Sequence, residues 1–260
     1  MKDTDNLELL HYEYKNVEDT YEKFSKYYDF YSNGNTDDFE FYSKYDFQSK
    51  RILDVGCGTG RLEALFLNKN PKEVVGIDIS KAMLDIAKSK YKNNGNFNFY
   101  IHNFENGKFE LPLFDYIIVS FFTINYIKEP YVFLKNLLEV LKVGGSIIID
   151  AFIPDAILSP TTNNVWRRFD PIYCFDSNKK IDIFDKRILE DEVEKRIQVF
   201  YDEELKTYDP IVTMRYYHSY QKFINILNEL NIENVQINYG YSDSKKDKVF
   251  NFFVSGSKKM

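Results

Sequence analysis

Asp54, Gly56, Gly58 and Gly60 alternate along the run Arg51-Ile-Leu-Asp-Val-Gly-Cys-Gly-Thr-Gly-Arg61, and Asp78 follows 18 residues after the last glycine. Glycine tolerates positive φ and lets a ligand approach the main chain without a Cβ in the way. Amides at the start of a following helix point outward and accept an anionic or polar group. An acid at the tip of a second strand, about 20 residues past such a turn, accepts hydrogen bonds from ribose hydroxyls. Asp78 also precedes a helical run containing Met83, but Ser80 can cap that helix and leave Asp78 for the ligand. The spacing excludes two phosphate motifs. G-x-G-x-x-G would need glycine where Arg61 stands, and no G-x-x-x-x-G-K-S/T occurs.

These residues need a scaffold of alternating strands and helices. Apolar runs predict strands over 51–55, 73–77, 97–101, 114–119 and 146–150, with helices over about 60–69, 80–91 and 129–141. Lys142-Val-Gly-Gly145 reads as a helix stop and turn. Such alternation implies a parallel sheet covered on both faces. Ligands are then expected at the carboxyl ends of the strands, beside the first. Ahead of it, Leu7, Leu10, Tyr14, Val17, Tyr21, Phe24, Tyr28 and Tyr31 recur in steps of three and four, predicting one or two helices. The alternation breaks over 153–217. Pro154, Pro160, Pro171 and Pro210 mark loops there, and 181–189, 193–201 and 212–218 read as a small antiparallel sheet. A helix over 219–231 and strands at 235–239 and 249–254 complete the chain.

The D-x-G-x-G-x-G run resembles motif I of the class I S-adenosylmethionine-dependent methyltransferases. Phe114-Asp-Tyr-Ile-Ile-Val-Ser-Phe-Phe-Thr-Ile-Asn-Tyr126 resembles that family's fourth motif, and Leu141 to Ile149 its entry to strand 5. The resemblance is close over 50–152, follows the order of elements over 218–256, and is weak over 153–217. It implies an α/β fold: a Rossmann-like, seven-stranded, mostly parallel sheet with helices on both faces, an N-terminal helical lid and an antiparallel β insertion after strand 5. The expected divisions are a cap at 1–47, a cofactor-binding core at 48–152, an insertion for substrate or dimerisation at 153–217, and a completing segment at 218–260.

The resemblance also implies S-adenosylmethionine as methyl donor, S-adenosylhomocysteine as product, and in-line displacement at the methyl carbon without a metal. It assigns Asp54, Gly56, Cys57, Gly58, Gly60, Asp78, Ile79, Met83, Asn103, Phe104, Ser120, Phe121 and Tyr28 to the cofactor. Asn103 departs from the usual Asp, which accepts from the adenine amino group; an amide oxygen can still accept. Tyr28 and the aromatics of Asp37 to Tyr42 resemble a lid whose rings would meet a sulfonium. His218, Tyr126 and Tyr28 are candidates for a general base. Trp166, Arg167 and Arg168 are candidates for reading a substrate anion, with pairing to Asp170 the plainer alternative.

The 260 residues carry a net charge of −6 and no basic tract interleaved with aromatics, so a nucleic-acid partner is not expected. No N/D-P-P-Y/F or Pro-Cys stands at the fourth motif and no Asp-Asn pair follows strand 5, so the signatures of nucleobase-amine, cytosine-C5 and magnesium-dependent catechol chemistry are missing there. Cys57 and Cys174 lack metal spacing, and a disulfide at Cys57 would obstruct the glycine turn. A reducing, cytoplasmic setting is expected, without a membrane span or signal peptide. The expected function is methylation of a small-molecule acceptor, nitrogen ahead of oxygen, by a monomer or homodimer. The alternatives are a tRNA or protein methyltransferase and a non-catalytic cofactor- or partner-binding protein.

Overall fold

The computed structural model of the chain describes residues 6–32, 36–107, 109–154, 157, 159–174, 179–240 and 251–259. Two compact units form, one from Gly34–Ile153 with Tyr217–Met260, the other from Met1–Asn33 with Pro154–Tyr216. The N-terminal helix of the second unit is α1 (Val17–Ser32), and the short helix α2 (Phe39–Tyr42) belongs to the core unit. The expected cap at 1–47 is therefore split near residue 33. Phe41, Tyr42 and Phe47 are buried in the core unit, where Phe41 stacks on Phe253 with centroids 3.7 Å apart.

The core unit holds the strands β1 (Arg51–Val55), β2 (Glu73–Asp78), β3 (Phe97–Ile101), β4 (Phe114–Val119), β5 (Leu141–Phe152), β10 (Ile232–Tyr239) and β11 (Asn251–Lys258). They form one sheet in the order β10-β11-β5-β4-β1-β2-β3. β1 pairs parallel with both β2 and β4, so the strand order reverses beside it, while β11 runs antiparallel to β5 and β10. Successive side chains of β1 face opposite ways. Leu53 and Val55 enter a core with α5 (Pro130–Leu138) and α6 (Tyr220–Glu229). Ile52 enters another with α4 (Lys81–Lys90) and the Phe41–Phe47 aromatics. This two-sided burial is why the parallel strands read as continuous apolar runs.

Two expectations in the core unit need correction. The helix expected over 60–69 is one turn, α3 (Glu63–Phe66), because Gly60 has φ +81° and cannot continue a right-handed helix. Lys142–Gly145 does not stop a helix; α5 already ends at Leu138, and these residues bulge within β5. The register jumps from Phe114 opposite Leu141 to Tyr116 opposite Ser146. A Cβ on Gly145 would lie 3.0 Å from the Asp115 carbonyl oxygen, so glycine fits the bulge. β11 is described from Asn251; residues 249 and 250 of the strand expected there lie outside the described residues.

The second unit is a four-stranded antiparallel sheet, β6 (Arg167–Cys174), β7 (Lys179–Glu190), β8 (Val193–Asp202) and β9 (Thr207–Tyr216), in that order. Pro171 and Pro210, expected in loops, lie within β6 and β9. Both are edge strands, and β6 bulges between Phe169 and Ile172, so neither proline removes a central ladder bond. The N-terminal periodicity divides in two. Leu7, Leu10 and Tyr14 pack on one face of the sheet with Phe184, Val199 and Val212. Helix α1 starts where Asn16 Oδ1 accepts from the Asp19 amide at 2.7 Å, and it lays Tyr21, Phe24, Tyr28 and Tyr31 on the other face. α1 also covers the open edge of β9: Thr20 Oγ1 donates to the Val212 carbonyl and Lys23 Nζ to the Pro210 carbonyl.

Candidate cofactor site

The turn after β1 is built by three left-handed glycines, Gly56, Gly58 and Gly60, with φ of +72°, +56° and +81°. The amides of Gly56 and Cys57 both donate to the Ile77 carbonyl, at 2.7 and 3.0 Å, and pin the turn against β2. Gly58 N donates to Asp78 Oδ2 and Ser80 N to Asp78 Oδ1, each at 2.9 Å. Ser80 caps α4 as expected, its Oγ accepting from Met83 N at 3.2 Å. Asp78 is nevertheless not left idle: its carboxylate joins the glycine turn to the start of α4 and stays half-buried. Two of the glycines have packing reasons besides ligand approach. A Cβ on Gly56 would meet Thr123 Oγ1 at 2.3 Å, and one on Gly60 would meet Tyr91 Cε2 at 2.6 Å. Tyr91 also donates its hydroxyl to the Gly60 carbonyl at 2.7 Å.

Acidic groups lie buried beside this turn. Ser120, at the tip of β4, donates to Asp54 Oδ1 at 3.3 Å, while Asp54 Oδ2 has no hydrogen-bond partner. Burial pushes Asp54 up to about 7, against the opposing Arg61 charge and the Ser120 hydrogen bond. Glu63 is fully buried with neither carboxyl oxygen hydrogen-bonded. Burial, and then the Asp54 charge, push it well above the usual carboxylate range. Beyond Ser120 the chain takes two successive left-handed residues, Phe121 (φ 49°) and Phe122 (φ 69°). Each costs about 1–3 kcal/mol for a side chain of this size, and such strain collects at functional sites. The Arg61 guanidinium lies 4.4 Å from the Phe121 ring centroid and makes a bidentate pair with buried Asp38, at 2.7 and 2.6 Å.

The other expected residues take varied places. Cys57 is 5% exposed and packs with Ile52, Phe66 and Phe99, so only its backbone borders the turn. Met83 is buried and Ile79 half-buried. Asn103 Oδ1 accepts from Glu105 N at 2.9 Å and caps a short 3-10 turn, and Phe104 is buried in the core. His218 does not fit the role of general base. It is buried, its Nε2 donates to the Ile127 carbonyl at 2.8 Å, and Nδ1 lies 3.3 Å from Lys222 Nζ, so both ring nitrogens are engaged. Tyr126 ends the 3-10 turn Thr123–Tyr126 after β4 and is half-buried. Tyr28 belongs to the antiparallel unit, edge-on to Phe24 at 5.6 Å. Arg168 pairs with Asp182 at 2.9 Å, Arg167 lies 3.7 Å from Asp185, and Trp166 Nε1 donates to Glu8. Arg61, Asp38, Glu63 and Thr123 were not singled out from sequence. Arg61 and Asp38 stand 23 residues apart, and nothing in their spacing announces the pair.

Among the described residues no helix is long and apolar enough to cross a membrane, and no group of three or more metal-ligating side chains converges. Residues 52–145 match the family described as a methyltransferase domain. A malonyl-[acyl-carrier protein] O-methyltransferase of Paenibacillus sp. (strain JDR-2) is 31% identical over 113 residues, 42% of this chain and 41% of that protein. The chain thus spans less than half the length of that relative. A solved S-adenosylmethionine-dependent methyltransferase from Clostridium acetobutylicum superposes with a TM-score of 0.72 at 20% identity, over 92% of this chain and 99% of that one. The sugar N-methyltransferase KedS8 from Streptoalloteichus sp. superposes with a TM-score of 0.71 at 16% identity, over 97% and 96%. The glycine turn and the acid at the tip of β2 therefore sit inside residues that match a methyltransferase domain, and the fold is that of solved S-adenosylmethionine-dependent methyltransferases.

Proposed function

We propose that the protein transfers a methyl group from S-adenosylmethionine to a small-molecule acceptor, at nitrogen in preference to oxygen. The observation that carries the cofactor reading is the joining of the glycine turn to Asp78 beside the reversal of strand order. The residues fit the cofactor on two counts. Asp78, half-buried and fixed by two backbone amides, is a carboxylate at the tip of β2, the place from which an acid accepts hydrogen bonds from ribose hydroxyls. The unpartnered, buried Asp54 Oδ2 marks an acidic end of β1 suited to a cationic group. When bound, the cofactor supplies an electrophilic methyl group on a sulfonium.

The chain's own contribution is mainly placement. Gly56 and Gly60 lock the turn against Thr123 and Tyr91, and Asp78 orients the ribose. A displacement of this kind gains most from holding the acceptor lone pair in line and close. An amine acceptor must present that lone pair unprotonated, and Tyr126, at the end of the turn after β4, is the group from the core unit we assign to accept a hydrogen bond from the amine N–H and aim its lone pair, the amine proton leaving to solvent. The preference for nitrogen is supported by likeness to a sugar N-methyltransferase over nearly the whole chain, whereas the O-methyltransferase match covers under half of it. Calorimetric titration with S-adenosylhomocysteine tests the cofactor, and mass analysis of amine and hydroxyl acceptors after incubation with S-adenosylmethionine tests the reaction. One bound S-adenosylhomocysteine per chain and methylated amines are expected. Absence of binding refutes the site; methylated hydroxyls, tRNA or protein in place of amines refute the acceptor class.

A further inference from the structure

Two carboxyl groups beside the glycine turn are buried without the hydrogen bonds that a carboxylate needs. Asp54 alternates along β1 with Ile52 and so shares its side of the sheet. On that side Ile52 packs with Cys57, Leu62 and Phe66. Glu63, the residue after Leu62, opens the single turn α3. Neither acid is exposed, and of their four carboxyl oxygens only Asp54 Oδ1 has a hydrogen bond, accepted from Ser120 Oγ at 3.3 Å. Arg61 on the turn, Asp38 ahead of α2, Asp78 on β2 and Lys90 on α4 face the pair, with the Cys57 thiol beside them. Arg61 is bidentate to Asp38, and Asp78 is held by the Gly58 and Ser80 amides.

A carboxyl group in such surroundings keeps its proton rather than its charge. Burial lifts Asp54 up to about 7, against Arg61 and the Ser120 hydrogen bond. Burial, and then the charge of Asp54, lift Glu63 well above the usual carboxylate range. Ser120 stabilises the charged form of Asp54 and no such donor reaches Glu63, so Asp54 is the acid of the pair that ionises first. Its Oδ2 is the oxygen left for a cation at the end of β1. A cation that meets it favours the ionised form and lowers its pKa. The ligand-bound chain then holds fewer protons than the free chain, and affinity rises with pH until Asp54 is ionised in the free chain as well.

We propose that the ammonium of the cofactor's amino-acid end displaces the proton of Asp54 to solvent as it binds, while Glu63 stays protonated, so that cofactor binding is linked to pH. The ammonium keeps its three hydrogens and donates one to Asp54 Oδ2; the carboxyl proton passes to the buffer. This rests on the cofactor reading above. The test is calorimetric titration of the full chain with S-adenosylhomocysteine at pH 7 in phosphate and in imidazole, buffers whose ionisation enthalpies differ widely. About half a proton released per ligand is expected, with affinity rising about tenfold from pH 6 to pH 8. Methylthioadenosine has the nucleoside and the sulfur but no ammonium, and it should bind without proton release and with affinity flat over that range. Asp54→Asn should abolish the release, and Glu63→Gln should retain it. Equal heats in both buffers, with S-adenosylhomocysteine bound, overturn the proposal, as does equal release with methylthioadenosine. Release that survives in Asp54→Asn and vanishes in Glu63→Gln overturns the choice of Asp54 as the source. Failure of the unmodified chain to bind S-adenosylhomocysteine at any pH removes the cofactor reading, and this proposal with it.

Discussion

Replacing Asp54 with asparagine should make the free protein more stable at neutral pH and alter how its stability varies with pH. Asp54 is fully buried, and burial lifts it from 3.8 to about 7. An acid whose pKa is raised on folding binds its proton more tightly in the folded chain. Its contribution is therefore fully present below pH 3.8 and is lost as pH rises through about 7. Each unit is worth about 1.4 kcal/mol, so a shift of this size removes about 4 kcal/mol by pH 7 as an upper limit. The adjacent buried Glu63 is lifted as well and shares this effect. The substituted amide retains an oxygen for Ser120 Oγ and abolishes the titration. Asp115 and Asp209 tilt the whole-protein curve the other way, because lysines more than offset the burial that would raise them. The informative quantity is thus the melting temperature of Asp54→Asn minus that of the unmodified chain, followed from pH 4 to 8. It should begin near zero and climb towards roughly 10 °C. A difference that is flat across this range refutes the assignment of a raised, buried carboxyl at position 54.

Gly60→Ala should lower stability by about 2–4 kcal/mol in urea unfolding, through left-handed strain and the clash with Tyr91. Asp78→Ala should weaken S-adenosylhomocysteine binding by about 1–3 kcal/mol in calorimetry and also lower the melting temperature, since the Gly58 and Ser80 amides lose their acceptor. Arg196→Met should cost about 3–5 kcal/mol of folding stability, because Asp185 stays buried after losing one of its cations. His218→Gln should leave the pH profile of methyl transfer unmoved, as the ring's two nitrogens are engaged within the core unit.

The core sheet was legible because each parallel strand is an apolar run ended by a turn residue, and the family likeness supplied the count of seven strands and their mostly parallel sense. Local chemistry misled where tertiary packing decides. Pro171 and Pro210 read as loop residues because sequence does not show which strands lie at an edge. Gly144 and Gly145 read as a stop, yet they serve a bulge whose need arises from pairing with β4. In the candidate site, Gly56, Gly58, Gly60 and Asp78 share a short segment and could be read together. Arg61 with Asp38, and Asp54 with Glu63, depend on how the chain returns on itself. Glu63 resembles an ordinary surface acid in the first turn of a helix, and only its burial makes it unusual.

The antiparallel unit is discontinuous in sequence, and this sets a schedule for its synthesis. Tyr21, Phe24, Tyr27, Tyr28 and Tyr31 leave the ribosome early, but Phe200, on which Tyr27 stacks at 4.3 Å, emerges roughly 170 residues later. At about 5–20 residues per second, the aromatic side of the nascent helix waits roughly ten to forty seconds for its sheet. Throughout that interval the core strands β1 to β4 are emerging and able to pair. The aromatic side of that helix is thus exposed until β8 is made, and a pause in translation before β8 would lengthen the exposure.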